Sequence, residues 1–466
     1  MKTLIKNGII VTALDEYTAD IVIDGEVISA IGKNLKEDEY DKVIDASGYY
    51  VLPGGVDQHT HYAGLNSDGK TTMDTYDCNY AALIGGTTTT VDFCPNEAGM
   101  GLLDSIKYRI EHRAKGKTCT DFGLHSQVGF YTEDLFDEIA KLPELGVSTM
   151  KLFMAFKPGP QYMDDGVIYK AMKACREAGI TMSLHCENAD LVNVLRKDYG
   201  DKGCLTPKYH YLSRPPFVEA EATQRALILA EAADCPLCIV HISCEAAAKY
   251  VEQARANGQK VIGETCNNYL ALDNSKLDDP DFDKACRFVC SPALRDKADQ
   301  DYLWKALKDD VLSVVASDHC GIPLSQKYWG KNDFRDIPNG CPGAAQRLST
   351  LWTFGVEKGR ISKQRLVDLY ATTPAKICGM YPRKGTIAVG SDADLVLWNA
   401  NWVGVTNNED FPSGVDYNIC EGLEQIGRAE KVLLRGKVVV DDCKFVGEIG
   451  GGQFIPGKAF GLAYDL

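Results

Sequence analysis

"VLPGGVDQHTHYAG", residues Val51 to Gly64, sets two of the chain's 8 histidines two positions apart, directly after an apolar run and a glycine pair. In an extended strand side chains alternate between faces, so residues i and i+2 point the same way. Read as a strand, "GGVDQHTH" projects His59 and His61 together from one face at its C-terminal end. Two neutral imidazoles side by side are a ready pair of metal ligands. An isolated H-x-H more often satisfies local hydrogen bonds. Its meaning therefore depends on whether other ligand types recur at matching positions.

Upstream of this stretch the chain reads as short alternating strands, "KTLIKNGIIVT", "ADIVIDGEVISAIG" and "KVIDASGYYVLPG", with Asn7-Gly8 and Asp24-Gly25 as hairpin turns. The C-terminal end reads similarly in "GTIAVGSDADLVLWN", "EKVLLRGKVVVDDCKFVG" and "GGGQFIP". The two ends together predict one discontinuous β-sandwich, residues 1–52 and 381–466, the latter including a C-terminal tail. Downstream, over 53–380, apolar runs alternate with helical stretches such as "GVIYKAMKACREAG", "EAEATQRALILAEAA" and "EAAAKYVEQARANG". Eight strand candidates follow: "GGVDQHTH", "GTTTTVDFC", "DFGLHSQVG", "VSTMKLFMA", "ITMSLHCEN", "PLCIVHISC", "QKVIGETCNN" and "LSVVASDHC". Eight strand–helix repeats predict an α/β chain built on a (β/α)8 TIM-type barrel. A doubly wound open sheet is the alternative, weakened because no G-x-G-x-x-G loop follows any strand.

Chemistry-capable residues fall near the C-terminal ends of five of these strands, the face where barrel active sites lie. Strand one carries His59 and His61, strand four Lys151, strand five His185, strand six His241 and strand eight Asp318. Singly, each has an ordinary explanation: a hydrogen-bonded histidine, a snorkelling lysine, a turn-capping aspartate. Five such accidents at one position are less plausible than one shared site. A cationic lysine cannot ligate a metal, but desolvation lowers its pKa and the neutral amine can add carbon dioxide. The resulting carbamate has two oxygens and can bridge two ions. Four imidazoles, one carbamate and one aspartate suit two divalent, zinc-like ions sharing a hydroxide.

Bulk properties exclude several classes. Hydrophobic residues at 45% and charged residues at 25% describe an ordinary globular protein. A net charge of −15 and a pI near 5.1 argue against nucleic acid or anionic membranes as partners. No apolar run approaches the roughly 18 residues of a membrane span. The N-terminus lacks a long apolar core and a cleavage site, which places the protein in the cytoplasm. Many of the seventeen cysteines lie in apolar runs, as buried thiols would, and "CPLC" (Cys235 to Cys238) has no second pair to complete a zinc site.

These motifs, together with "MKLFMAFK", "LHCENAD", "SPALRDKADQDYLW", "PNGCPGAAQRL" and "GSDADLVLWN", resemble the amidohydrolase superfamily. More narrowly, the chain is similar to the dihydropyrimidinase/D-hydantoinase (phenylhydantoinase-like) family, from about residue 2 to 460. The resemblance implies a barrel beside a terminal β-sandwich, usually as a homotetramer or else a homodimer. It implies that His59, His61 and Asp318 hold one metal, that His185 and His241 hold the other, and that Lys151 bridges them as N6-carboxylysine. Ser291 in "SPALR" and Asn339 in "PNG" would grip the ring of a cyclic ureide or imide. The implied reaction is ring opening to an N-carbamoyl amino acid by a metal-bridging hydroxide, with Asp318 as general base and then acid.

One position departs from the family. Hydantoin- and dihydropyrimidine-hydrolysing members usually carry a tyrosine, whose hydroxyl stabilises the oxyanion, where "MAFK" has Phe156. Losing one such donor costs on the order of 10²- to 10³-fold in rate. Tyr62 is a candidate replacement, with packing as its ordinary role. The following loop is polar, with Asn66, Ser67, Asp68 and Lys70, which suits a small polar or heteroaryl ring substituent. Dihydroorotases usually have an arginine soon after H-x-H, and this chain reads "HTHYAG". An allantoinase-like activity is a neighbouring alternative. A non-catalytic dihydropyrimidinase-related scaffold is disfavoured because all six ligands are present.

Overall fold

The computed structural model describes residues 2–64 and 72–459. The polar loop positions Asn66, Ser67, Asp68 and Lys70 lie outside the described residues. Eight strands form one parallel sheet in chain order: Gly55–Thr60, Thr87–Pro95, Asp121–Gln127, Thr149–Phe153, Thr181–His185, Leu237–Ile239, Val261–Cys266 and Val314–Ala316. Each coincides with one of the eight sequence candidates. Helices such as Asp165–Ala178, Pro216–Ala232 and Glu245–Ala256 connect them. The strands are buried along nearly their whole length, as expected when helices cover one face and barrel-interior side chains the other.

The sheet closes where strand one meets the segment after strand eight. His61 N donates to His319 O at 2.8 Å, and Thr60 and His319 form a parallel bridge. Arg347, fully buried, pins the same seam: its Nη1 donates to Val56 O at 2.9 Å and to Val315 O at 3.1 Å. The barrel expectation holds and the open-sheet alternative does not.

Both chain ends build a second, largely antiparallel sheet of nine strands, from Lys2–Val11 through Tyr50–Pro53 and from Leu395–Val405 through Lys444–Phe445. Lys2–Val11 shares one edge between Lys42–Asp45 and Tyr50–Pro53, so the sheet branches there around its own core of Ile5, Ile21, Ile44, Val51, Leu395 and Leu433. Asp24-Gly25 marks a hairpin, with Asp24 paired to Val27. Asn7-Gly8 does not. The strand runs straight through it with a bulge, Asn7 taking φ +63° while its N–H donates to Asp20 Oδ1 at 3.0 Å. The left-handed residue is used for a kink rather than a reversal.

"GGGQFIP" also behaves differently from the expected sandwich strand. It crosses to the N-terminal end of the barrel, where Phe122 N donates to Gln453 O at 2.9 Å and Ile455 N to Phe122 O at 2.7 Å. Phe122 begins the third barrel strand, so the tail is part of the barrel base rather than of the terminal sheet.

Candidate active site

Side chains from five strands meet at the barrel's C-terminal end. His59, His61 and Asp318 place one ligand atom each within 4.8 Å of one another. Asp318 Oδ1 lies 3.0 Å from His59 Nε2 and 3.2 Å from His61 Nε2. Lys151 Nζ is 2.8 Å from His59 Nε2. The rings of His185 and His241 stand edge to face with centroids 4.4 Å apart, and His241 is 5.4 Å from His59. His61, Lys151, His185, His241 and Asp318 line one small cavity of about 60 Å³ together with Phe156, Ser291 and Asn339.

Local backbone geometry explains how short strands reach this point. His241 and Asp318 each lie two residues beyond their strands, with φ +42° and +48°. Left-handed backbone at non-glycine residues carries strain and clusters at functional sites. It ends the extended pairing and redirects these two side chains. Phe156, at φ +68°, is turned the same way.

Burial and neighbouring charges set the electrostatics. Burial pushes the His61 imidazole down to about 3, and lowers His185 and, further, His241. All three are therefore neutral and able to ligate at neutral pH. Burial lowers the Lys151 amine although Asp318 and Glu264 oppose it. For Asp318 burial acts upward, but His59 and His61 more than offset it and hold the carboxyl well below its usual range. His59 is drawn up despite burial and Lys151, because the Glu264 and Asp318 carboxylates favour positive charge there.

A divalent cation fits this donor set. Among the described residues both ring nitrogens of buried His241 lack a hydrogen-bond partner, a costly arrangement for an imidazole with no ligand to hold. Two further candidate ligands, His59 and His185, are braced from behind. His59 Nδ1 contacts Glu264 Oε1 at 2.6 Å, and the other Glu264 oxygen accepts from Gln58 Nε2 at 2.7 Å. His185 Nε2 contacts Glu187 Oε2 at 2.7 Å, and Arg214 Nη1 donates to that oxygen at 2.9 Å. Such carboxylates orient ligand histidines and raise their basicity. The sequence reading passed over Glu264 and Glu187, though signals existed. Glu264 ends "VIGE" on strand seven, and Glu187 stands two residues after His185.

Ser291 and Asn339 face the cavity, and the Ser291 hydroxyl has no hydrogen-bond partner among the described residues. Tyr62 is placed otherwise. It is buried, its ring packed 4.8 Å from His319 and 5.8 Å from Tyr76, and it is absent from the cavity wall. That placement fits packing and gives no support to Tyr62 as an oxyanion donor. His319, the neighbour of Asp318, is occupied structurally: Nε2 contacts Asp74 Oδ2 at 3.1 Å and Nδ1 accepts from Gly343 N.

Residues 50–415 match the model of the Amidohydrolase family. The D-hydantoinase of Geobacillus stearothermophilus is 43% identical over 464 residues, covering 99% of this chain and 98% of that protein. The chain belongs to the amidohydrolase family. Within it, the D-hydantoinase of Ralstonia pickettii is 42% identical over 99% of this chain and 100% of that protein. The crystal structure of dihydropyrimidinase from Brevibacillus agri superposes with a TM-score of 0.95 at 41% identity, covering 99% of both chains. Amidohydrolases are metal-dependent, in keeping with the His59, His61 and Asp318 cluster. Among the described residues no helix is long and apolar enough to cross a membrane, and all seventeen cysteines are free thiols.

Proposed function

We propose that this amidohydrolase opens the ring of a hydantoin, dihydropyrimidine or related cyclic ureide, giving an N-carbamoyl amino acid. The convergence of His59, His61, Lys151, His185, His241 and Asp318 on one buried point carries the reading, in a chain whose relatives include D-hydantoinases. His59, His61 and Asp318 would hold one divalent ion, His185 and His241 a second, with Lys151 between them as N6-carboxylysine. Zinc is the ion best matched to four imidazoles. Bound there, the ions would supply Lewis-acid polarisation of the ring carbonyl and a water activated at neutral pH.

The chain's own residues do the rest. Asp318, held ionised by its histidine neighbours, takes the attacking water's proton and returns it to the leaving ring nitrogen. The unpartnered Ser291 hydroxyl and the adjoining Asn339 offer polar contacts to the imide edge of the ring. Phe93, with Lys151 Nζ 4.3 Å from its ring centre, helps keep water from the amine, which favours its neutral, carbamylation-competent form. A cytoplasmic homotetramer is the proposed working form.

The test is Asp318→Asn in metal-replete enzyme. Turnover of hydantoin should fall about 10²- to 10⁴-fold, the usual contribution of a positioned proton-transfer group. Near-wild-type turnover with full metal content overturns the role given to Asp318.

A further inference from the structure

Beside the metal-side cavity lies a larger one of about 750 Å³, and the two share Phe156 and Asn339 in their walls. The Phe156 ring is the divider: its centroid is 5.1 Å from that of His185 and 5.9 Å from Arg214 Cζ. For a ring held at the metal-side cavity, the large one is the continuation open to its exocyclic substituent. Its wall combines apolar surface (Val192, Trp329, Pro338) with three guanidinium groups, those of Arg196, Arg214 and Arg335.

Most cations at this wall already have acidic partners. Arg214 meets Glu187 at 2.9 Å, Lys157 meets Asp190 at 3.0 Å, and Arg335 is clamped on Asp333 by three hydrogen bonds. Arg196 differs. Among the described residues no carboxylate lies within ion-pair distance of it, and Nη2 donates instead to the backbone O of Arg335 at 2.7 Å. Burial, with Arg214 and Arg335 as like-charged neighbours, pushes Arg196 down to about 10, although Asp333 and Asp336 act in the opposite direction. Asp336, the acidic residue in the wall, is exposed. The cations of this wall have Glu187, Asp190, Asp333 and Asp336 beside them, so Arg196 stands out by its lack of a carboxylate partner among the described residues rather than by any excess of positive charge. A guanidinium whose partner among the described residues is a backbone carbonyl has further N–H donors to offer an anion.

We propose that this second cavity is an anion subsite for the substrate's side chain, with Arg196 as its principal contact. The preferred substrates are then cyclic ureides whose exocyclic substituent is a short chain ending in a carboxylate. The inference rests on the ring-opening reading above. The side-chain carboxylate is a spectator: one water is consumed, the same ring C–N bond breaks, and the product is an N-carbamoyl acidic amino acid. A guanidinium fits a carboxylate by paired N–H donors, and the flanking apolar wall strengthens that contact by excluding water.

The experiment compares two hydantoins of nearly equal size, one with a carboxyethyl and one with a carbamoylethyl substituent, on metal-replete enzyme. The expected kcat/KM ratio, acidic over neutral, is at least about tenfold, as one charge-assisted hydrogen bond provides. In Arg196→Gln that ratio collapses towards one, while Arg196→Lys retains part of it. A second readout needs neither metal nor turnover: glutarate binding to metal-free protein, followed by tryptophan fluorescence with Trp329 at the cavity rim, should weaken at least tenfold in Arg196→Gln. A ratio near one in the wild type, or one that Arg196→Gln leaves intact, overturns the subsite. Glutarate binding that ignores Arg196 does the same. If neither hydantoin is opened, the ring-opening reading fails instead, and the glutarate titration still decides whether the cavity binds carboxylates.

Discussion

Glu264 shows how much a candidate metal ligand owes to the residue behind it. One oxygen holds His59 Nδ1, the other Gln58, and Oε1 also accepts from the backbone N–H of His241 at 3.1 Å. A single carboxylate thus orients ligands for both proposed ions. Glu264→Gln should weaken metal affinity about 10- to 100-fold, read by equilibrium dialysis against a competing chelator. Unchanged affinity would mean that His59 needs no such brace. Phe156 raises the opposite question, because the family resemblance implies a tyrosine hydroxyl at this position. Its ring lines the cavity 5.1 Å from His185, so Phe156→Tyr adds a donor in reach of the ring-carbonyl region. A gain of at least about tenfold in kcat on unsubstituted hydantoin is expected, toward the value of one oxyanion donor. No gain would show that the carbonyl oxygen points elsewhere.

Among elements, barrel closure is the step on which the site depends. His59 and His61 end strand one, Asp318 follows strand eight, and these are the first and last strands of the sheet. Arg347 spans that seam, bonding Val56 O, Val315 O and Thr87 Oγ1, with the buried Asp57 carboxylate 3.6 Å away. Removing the guanidinium takes the cation from beside the buried Asp57 carboxylate and leaves four acceptors, the carbonyls of Val56, Val315 and Tyr370 and the Thr87 hydroxyl, without this donor. Arg347→Met should therefore cost about 3–5 kcal/mol of stability, measured by urea denaturation. A loss within experimental error would show that strand pairing closes the barrel unaided.

For the whole molecule, the binding of the C-terminal segment to the barrel base matters most. Lys384 meets Asp121, which opens strand three, and also Asp392 and Asp394 of the C-terminal segment, at 2.5–2.9 Å. Arg435 bonds Asp121 as well. Beside them Ile455 is fully buried with Val56, Val91 and Met380, at the end opposite the metal ligands. Ile455→Ala should cost about 2–5 kcal/mol and lower Tm, while metal content per folded molecule stays unchanged. Loss of metal from folded protein would show that the base and the site are coupled.

Much of this architecture was legible in the order of residues alone. Eight apolar segments separated by helical ones specify a parallel barrel, and the terminal alternating strands specify a second sheet, because side-chain period and element length are local properties. The six candidate ligands were legible for the same reason: they sit near the C-terminal ends of five strands, His59 and His61 sharing the first. What lay beyond reach involved partners set by closure. Glu264 contacts His59 across 205 residues, and the "GGGQFIP" segment docks on strand three rather than extending the terminal sheet. Asn7-Gly8 makes a bulge because the neighbouring strand pairs on both sides of it. The arginine-lined cavity exists only once the segments around Arg196, Arg214 and Arg335 are folded against one another. Periodicity is written along the chain, whereas charge pairing and cavity shape depend on which distant segments the folded barrel brings into contact.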